Sequence, residues 1–468
     1  MKKIRIILIL FSIICINIKS PAQSVSPALD SILDYTIDSL RTLLNIKSLS
    51  AAVQLPDSSV WAGASGISSV NPPANVTIND AYLIGSVSKT MTAACILQLA
   101  DQNILNLDDS LYQWLDTIQY INPAITIRQL LRHESGIYDV LVNPACQPAM
   151  LNDPDSIWDP HDIITTFIQP PAFQVGNGWA YSNTNYLLLS LIIKEATRIP
   201  FYDEIRSRFL IPLNLNTITA WPFEPLASPL AHLWLDLNGD GITDDAHNFF
   251  ITNPGLNASG GAAGCYLATP TDITKWMRSY MRGDLISPAL MSQAYVTVFS
   301  PGLPNTSYGL GLMIRYMLNY QAIGHGGDFG YAASSWYFPA RDISISVFTN
   351  DSHHNSWSLI PAVTALLKSY NIWLATTGVT SDIYNGTSAS LYPIPFTNTI
   401  NITLNNANSD DNSEITVSDI SGNKILSHIL TKTEINNSFV RLTELDYLPH
   451  GMYFISVSAN GKMKQVLK

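Results

Sequence analysis

The stretch LIGSVSKTMTAACI, Leu83 to Ile96, places two serines just ahead of a lysine and then turns almost wholly apolar. The helix this predicts has no polar face, so it is expected at the centre of the fold rather than on its surface. On a helix, residues three apart share a face and adjacent residues do not. Ser86 and Lys89 are three apart, whereas Ser88 is adjacent to Lys89 and points about 100° around the axis. Ser86 is therefore the serine that Lys89 can serve. A serine hydroxyl is a poor nucleophile until a base takes its proton. A lysine at the mouth of a buried helix is partly desolvated, which lowers its pKa and makes the neutral amine accessible. Ser-x-x-Lys also occurs as a capped helix start with a solvated lysine, so the pattern alone does not decide the matter.

Three later stretches bear on it. GWAYSNTNYLLL holds Tyr181-Ser182-Asn183, a phenol and an amide two positions apart on a loop ahead of a buried helix. YQAIGHGGDFGYAASSWYF holds His325-Gly326-Gly327. Two glycines there let a substrate backbone approach closely and leave backbone N–H groups free. ITIRQLLRHESGI, Ile125 to Ile137, predicts a helix ending at Ser135-Gly136 that supports the site without an evident catalytic role.

Working outward, residues 23–375 read as one mixed α/β body. Helices are predicted over Ser31–Leu44, Asn185–Thr197 and Thr269–Met281, the last capped by Thr269 or Thr271. Strands are predicted early, in LSAAVQL and VWAGASG, and late, as a hairpin over Ser334–Asn350. Strands at both ends with helices between predict a sheet closed by pairing the two chain ends, packed on a helical region. A Thr/Ser/Gly-rich linker, 376–390, follows. Residues 391–468 predict a small β-sandwich of short alternating strands, with turns at Ser421-Gly422-Asn423 and Asn460-Gly461.

At 468 residues, with 47% hydrophobic and 13% charged residues, the chain can bury a large core. A net charge of −11 with no basic cluster beyond the N-terminus argues against nucleic acid as a partner. Residues 1–22 read as a secretory signal peptide: Lys2, Lys3 and Arg5, an apolar run from Ile6 to Ile18, then Ser20 and Ala22 before a cut. Its removal takes away four basic residues and leaves 21 against 36 acidic, a net −15. Cys95, Cys146 and Cys265 remain, matching no zinc site, and a Cys146–Cys265 bridge is open. DLNGDGITDD offers Asp236, Asn238 and Asp240 as candidate ligands of a structural calcium, but position twelve is His247 rather than Glu. His353-His354 lacks a third ligand, so no catalytic metal is expected. No G-x-S-x-G elbow occurs.

Taken together, Ser86-Val87-Ser88-Lys89, Tyr181-Ser182-Asn183 and His325-Gly326-Gly327 resemble the S-x-x-K, Y-x-N and K-T-G motifs of the serine beta-lactamase-related family, which includes class C beta-lactamases, D,D-carboxypeptidases and esterases. NLDDSLYQWL, SGGAAGCYLATPTDI and YGLGL match as well, and the likeness spans roughly 45–370. It implies an antiparallel sheet flanked by helices plus an all-helical region, and an acyl-enzyme mechanism without a cofactor. Ser86 would be the nucleophile, Lys89 its base or proton relay, and Tyr181 a second acid or base. Asn183, Gly326 and Gly327 would bind substrate, and His325 would aid proton transfer or bind a substrate carboxylate. The N–H groups of Ser86 and Asp328 would form the oxyanion hole. The departure is His325 where the family pattern has lysine. A histidine carries charge only near or below pH ~6.5, which favours a peptidase or esterase over a true beta-lactamase. A silent cell-wall-peptide-binding member is the rival reading.

LYPIPFTNTINI, VSDISGNKI and LPHGMYFISVSANGKMKQVLK resemble the type A sorting domain of the type IX secretion system of Bacteroidetes. This implies recognition by that machinery and a secreted or surface-held product. The expected partners are thus a small peptide, ester or lactam substrate and the secretion machinery, with the protein a monomer. The loops Val142–Pro171 and Thr219–Pro254 are expected to shape the substrate pocket.

Overall fold

The structure, a computed structural model, describes residues 25–376 without a break and, of the rest, 388–392, 400–405, 413–418, 423–436, 439–443, 445, 454–459 and 462–467. The leader 1–22, the linker between 377 and 387, and the turn positions Ser421, Gly422, Asn460 and Gly461 lie outside the described residues.

The body opens with α1, Pro27–Leu43. Ser26 caps it, accepting the Leu29 N–H at 3.3 Å, and Pro27 fits the first turn, where no N–H is needed. That cap starts the helix four residues before the apolar spacing does. Nine strands among the described residues then form one antiparallel sheet: β1 Ser48–Gln54, β2 Val60–Val70, β3 Pro73–Asn75, β4 Val298–Phe299, β5 Thr306–Tyr308, β6 Met313–Met317, β7 Tyr320–Phe329, β8 Tyr331–Phe338 and β9 Ile343–Thr349. Their spatial order is β3-β2-β1-β9-β8-β7-β6-β5-β4. The expected closure of the sheet by the chain ends is present: β1 pairs with β9, Ser50 opposite Phe348 and Gln54 opposite Ser344.

The helices inserted between β3 and β4 supply the second region. They include α2 Ser88–Asp101, α3 Ile127–Arg132, α4 Thr184–Thr197, α5 Gly261–Gly264 and α6 Pro270–Met281. α2 is buried almost throughout, as its lack of a polar face requires. Thr269, not Thr271, caps α6, accepting the Asp272 N–H at 3.5 Å. α3 is shorter than expected. It stops at His133, whose φ of 62° ends the helix before Ser135-Gly136. A final helix, α7 Ile360–Thr376, returns toward α1, and Thr36 and Ser369 hydrogen-bond at 2.9 Å.

Two apolar cores result. One fills the space between the sheet and α2, α4 and α6, with Tyr82, Trp276 and Tyr331 among its members. The other lies on the opposite face, where Trp61, Trp336 and Phe338 pack with residues of α1 and α7. Residues alternate between faces along a strand. On β7, Ile323 therefore joins the first core and Ala322 the second. The described C-terminal residues form two antiparallel sheets. Strands 388–392, 400–405 and 439–442 make one, and strands 413–418, 424–429, 454–459 and 462–467 the other, as a small sandwich requires.

Candidate active site

Ser86 lies in a 3-10 turn, Gly85–Val87, that leads directly into α2. The turn puts the serine one helical step ahead of Lys89, and Lys89 Nζ lies 3.0 Å from Ser86 Oγ. Ser88 points elsewhere: its hydroxyl accepts the Tyr266 N–H at 3.4 Å. The amine has two further partners, Asn183 Oδ1 at 2.7 Å and the Ala263 carbonyl of α5 at 2.9 Å. An ammonium has three N–H groups and a neutral amine two plus a lone pair. As an ammonium, Lys89 donates to all three neighbours. As an amine, it donates to the two carbonyls and presents its lone pair to Ser86. Neither state leaves a partner stranded.

Lys89 is wholly buried. Burial lowers its pKa to about 7, although the nearby Asp139 carboxylate pulls the other way. The Tyr181 and Tyr186 rings face the ammonium at 4.8 and 5.3 Å from their centroids. Asp139 closes the chain of contacts, accepting from Asn183 Nδ2 at 2.8 Å and from the Leu141 N–H at 3.1 Å. Burial raises its pKa, with those hydrogen bonds and Lys89 opposing.

Tyr181 lies across the same site. Its phenol oxygen is buried and makes no hydrogen bond of ordinary geometry among the described residues. Burial raises its pKa well above the usual 10, and the neighbouring Ser86 hydroxyl offsets this only in part. Tyr181 is thus a neutral phenol with a free donor. Its ring packs on His133, centroids 4.3 Å apart.

His325 is wholly buried behind Tyr181, ring centroids 6.3 Å apart. Burial, with Lys89 second, lowers its pKa to about 3. Its hydrogen bonds run through a chain. His133 Nδ1 accepts from the Ser182 N–H and from Asn185 Nδ2, both at 3.1 Å, while Asn185 Oδ1 accepts from Ser135 at 2.7 Å. A nitrogen that accepts twice carries no proton, so the His133 proton sits on Nε2. From there it points at Tyr308 Oη, 3.2 Å away. Tyr308 in turn donates to His325 Nε2 at 2.9 Å, and His325 Nδ1–H donates to the Gly326 carbonyl. Every group in the chain is neutral, and the donor–acceptor sense is the same throughout.

Around the serine, β7 runs close to the 3-10 turn. A Cβ on Gly327 would lie 1.9 Å from the Ile84 carbonyl oxygen and 2.8 Å from the Ser86 nitrogen. One on Gly85, whose φ is +49°, would lie 2.7 Å from the Asp328 nitrogen. The backbone at Gly85-Ser86 and that at Gly327-Asp328 are thus in close approach. Asp328 is pinned from the other face of the sheet, its carboxylate accepting the Ser356 N–H at 2.6 Å and hydroxyl at 2.7 Å. β6 pairs with β7 only from Tyr320 to Gly324. His325 to Phe329 pair only with β8, leaving their other edge without a strand partner among the described residues. Gly327→Ala should lower kcat/KM by roughly 100-fold, because the strand and the serine turn cannot both keep their places. A loss under threefold would show that the close approach is dispensable.

Ser86, Lys89, Tyr181, Asn183, His325, Gly327 and Asp328 are therefore brought to one place. Gly326 faces the opposite side of the sheet, where a Cβ would meet Ser356 Oγ at 2.6 Å. Asp139, His133, Tyr308 and the Ala263 carbonyl were not picked out by sequence reasoning. His133 and Tyr308 do stand in supporting stretches quoted above, HESGI and YGLGL. Elsewhere, Cys95, Cys146 and Cys265 are free and buried, so Cys146 and Cys265 are not bridged. In the acidic loop, Asp236 accepts the N–H groups of Gly239 and Gly241 at 2.7 and 2.9 Å, and Asp240 accepts that of Ile242 at 2.8 Å. No cluster of three or more His, Cys, Asp or Glu among the described residues is arranged to hold a metal ion.

Comparison with known proteins gives a consistent picture. Residues 34–364 match the Beta-lactamase family, and residues 390–468 match the secretion system C-terminal sorting domain. A penicillin-binding protein of Bacillus subtilis (strain 168) is 25% identical over 259 residues, 51% of this chain and 53% of its own length. The teichoic acid D-alanine hydrolase of Staphylococcus aureus is 24% identical over 56% of this chain and 60% of its own length. The chain thus spans between about half and three fifths of the curated relatives it matches. Among solved structures, a D-stereospecific amidohydrolase from Streptomyces sp. superposes with a TM-score of 0.60 at 26% identity, covering 69% of this chain and 94% of that one.

Proposed function

Since the chain belongs to the Beta-lactamase family over residues 34–364 and is a serine hydrolase by that membership, we propose that it hydrolyses an ester or amide through an acyl-enzyme on Ser86. The sorting domain at 390–468 marks it for export. One observation carries the reading: the Lys89 amine, fully buried and lowered in pKa by that burial, lies 3.0 Å from the Ser86 hydroxyl.

A general base works best with a pKa near the working pH. Three groups near Ser86 could take its proton. Burial drives Tyr181 far too high and His325 down to about 3, which leaves Lys89. Lys89 takes the proton as Ser86 Oγ attacks the carbonyl carbon. The oxyanion is stabilised by the N–H groups of Ser86 and Asp328, each donor lowering the barrier by ~3–4 kcal/mol. Tyr181, a neutral phenol, passes its proton to the leaving group while the Lys89 ammonium returns one to the phenol oxygen, so both groups end neutral. Water then cleaves the acyl-enzyme: Lys89 takes the water's proton and hands it to Ser86 Oγ as the acid is released. Asn183, held between Lys89 and Asp139, positions the amine and keeps its remaining capacity for substrate.

A neutral His325 provides no clamp for a substrate carboxylate. This favours an ester or amide without a required free carboxylate over a beta-lactam. A D-Ala-D-Ala peptide and its C-terminal amide should therefore have kcat/KM values within about threefold of each other from pH 5 to 8. A carboxylate preference above tenfold that grows toward pH 5 would mean that His325 does charge. The functional reading is tested on purified protein with p-nitrophenyl esters, D-amino acid amides, D-Ala-D-Ala peptides and nitrocefin. Turnover of at least one ester or amide, rising with pH through about 7, is expected. No turnover of any of them, with no labelling by a fluorophosphonate, would leave a binding protein in place of an enzyme.

A further inference from the structure

A cavity of about 270 Å³ opens where three segments of the active site continue past it. Its walls include Leu141, Met150, Leu233, Phe249, Phe250 and Phe329. Leu141 is two residues beyond Asp139, the carboxylate bonded to Asn183. Phe329 directly follows Asp328, one of the two oxyanion donors proposed above. Ser259, also in the wall, precedes by two residues the start of α5, whose Ala263 carbonyl holds Lys89. We propose that this cavity receives a bulky apolar group on the acyl part of the substrate, a branched alkyl or aromatic side chain. The proposal rests on the acyl-enzyme reading above and narrows its substrate class.

The chemistry of the walls supports this occupant. None of the lining residues is charged. Apart from Gln147 at the exposed rim, the amide and hydroxyl side chains turn to the backbone: Asn253 Nδ2 donates to the Phe249 carbonyl at 2.6 Å, Asn257 Nδ2 to that of Phe250 at 2.9 Å, and Ser259 Oγ to that of Leu256 at 2.6 Å. Burial holds the Cys146 thiol at about 11, so it lines the cavity as a small apolar group rather than a nucleophile. What faces inward is therefore mostly hydrocarbon and aromatic ring. Pockets that enclose a whole small molecule run to ~300–1,000 Å³, so this one suits a single large side chain. Its placement selects the acyl side. Tyr181, the proposed proton donor to the leaving group, packs with His133, Tyr308 and His325, and none of these lines the cavity. The leaving group departs on that flank and the acyl group extends the other way. Both loops expected to shape the pocket contribute, the first through Cys146 and Met150 and the second through Leu233 and Phe249.

The test compares p-nitrophenyl acetate, hexanoate and 4-phenylbutyrate. Each buried methylene is worth about fourfold, so hexanoate and 4-phenylbutyrate should exceed acetate in kcat/KM by at least tenfold. Leu256→Trp fills the cavity from its wall, and Gln147→Trp does so from its exposed rim, where folding is least at risk. Each should lower the ratio to acetate by at least tenfold. A second measurement needs no turnover: calorimetric titration of 4-phenylbutanamide, with Kd at least tenfold weaker in either variant. Active protein that prefers acetate, or ratios unmoved in both variants, overturns the cavity's role and leaves the serine hydrolase reading standing. Protein inert toward all three esters, toward D-amino acid amides and toward a fluorophosphonate defeats the hydrolase reading instead. The titration then decides the cavity alone, and absence of binding overturns it.

Discussion

Ser86→Ala should abolish hydrolysis of every ester and amide the wild-type protein turns over, lowering kcat by roughly 10³–10⁶-fold, as loss of a serine nucleophile does elsewhere. Fluorophosphonate labelling should vanish with it. The fold should barely notice: the hydroxyl's partners are Lys89 and the neighbouring Tyr181 phenol, and one hydrogen bond contributes about 1 kcal/mol. The obvious substitute nucleophile, Ser88, is fully buried with its hydroxyl turned to the Tyr266 N–H. Labelling or turnover that persists in Ser86→Ala, in protein that melts like the wild type, would place the chemistry on another residue.

Lys89→Met tests the base. Methionine approximates the length of the side chain without its amine, and loss of a positioned base typically costs 10²–10⁴-fold in rate. The sign of the pH dependence follows from the pKa. The working form is the neutral amine, so wild-type kcat/KM should rise as pH increases through about 7, and the variant's residual activity should lack that limb. Stability gives an independent reading. The lysine pKa is about 7 in the folded chain and near 10.4 when unfolded. Between these values the unfolded chain binds more protons, so wild-type stability should rise with pH relative to Lys89→Met, by a few kcal/mol across pH 7 to 10. Parallel melting temperatures from pH 7 to 10 would show that Lys89 is not depressed.

The frame of the site was legible because it depends on local spacing. Ser86 and Lys89 are set by one helical turn, and the burial of Lys89 follows from the apolar run after it. The pairing of chain ends followed from where the strand patterns fell. What escaped was everything fixed by contacts between distant segments. Asp139 comes near Lys89, and is hydrogen-bonded to it through Asn183, only in the folded chain, and His133, Tyr308 and His325 become one chain only when α3, β5 and β7 meet. The same limit applies to His325. From sequence it was a residue whose charge would vary with pH, and only its complete burial beside Lys89 makes it neutral. The end of α3 was misjudged because a left-handed backbone at His133 has no apolar period to announce it.

The pairing of β1 with β9 also dictates when activity can arise during synthesis. Ser50 and Phe348 are about 300 positions apart. A ribosome releases Ser86 and Lys89 long before His325, Asp328 and the strands that close the sheet. Contacts at such separation are slow to form, because the loop must close before they stabilise anything. Until then Ser86, the proposed nucleophile, lacks the β7 N–H proposed as its oxyanion donor, and β1 lacks the neighbour that makes it a central strand. By the proposed mechanism, such a chain is inert while nascent and gains activity only once nearly all of its body is available to fold.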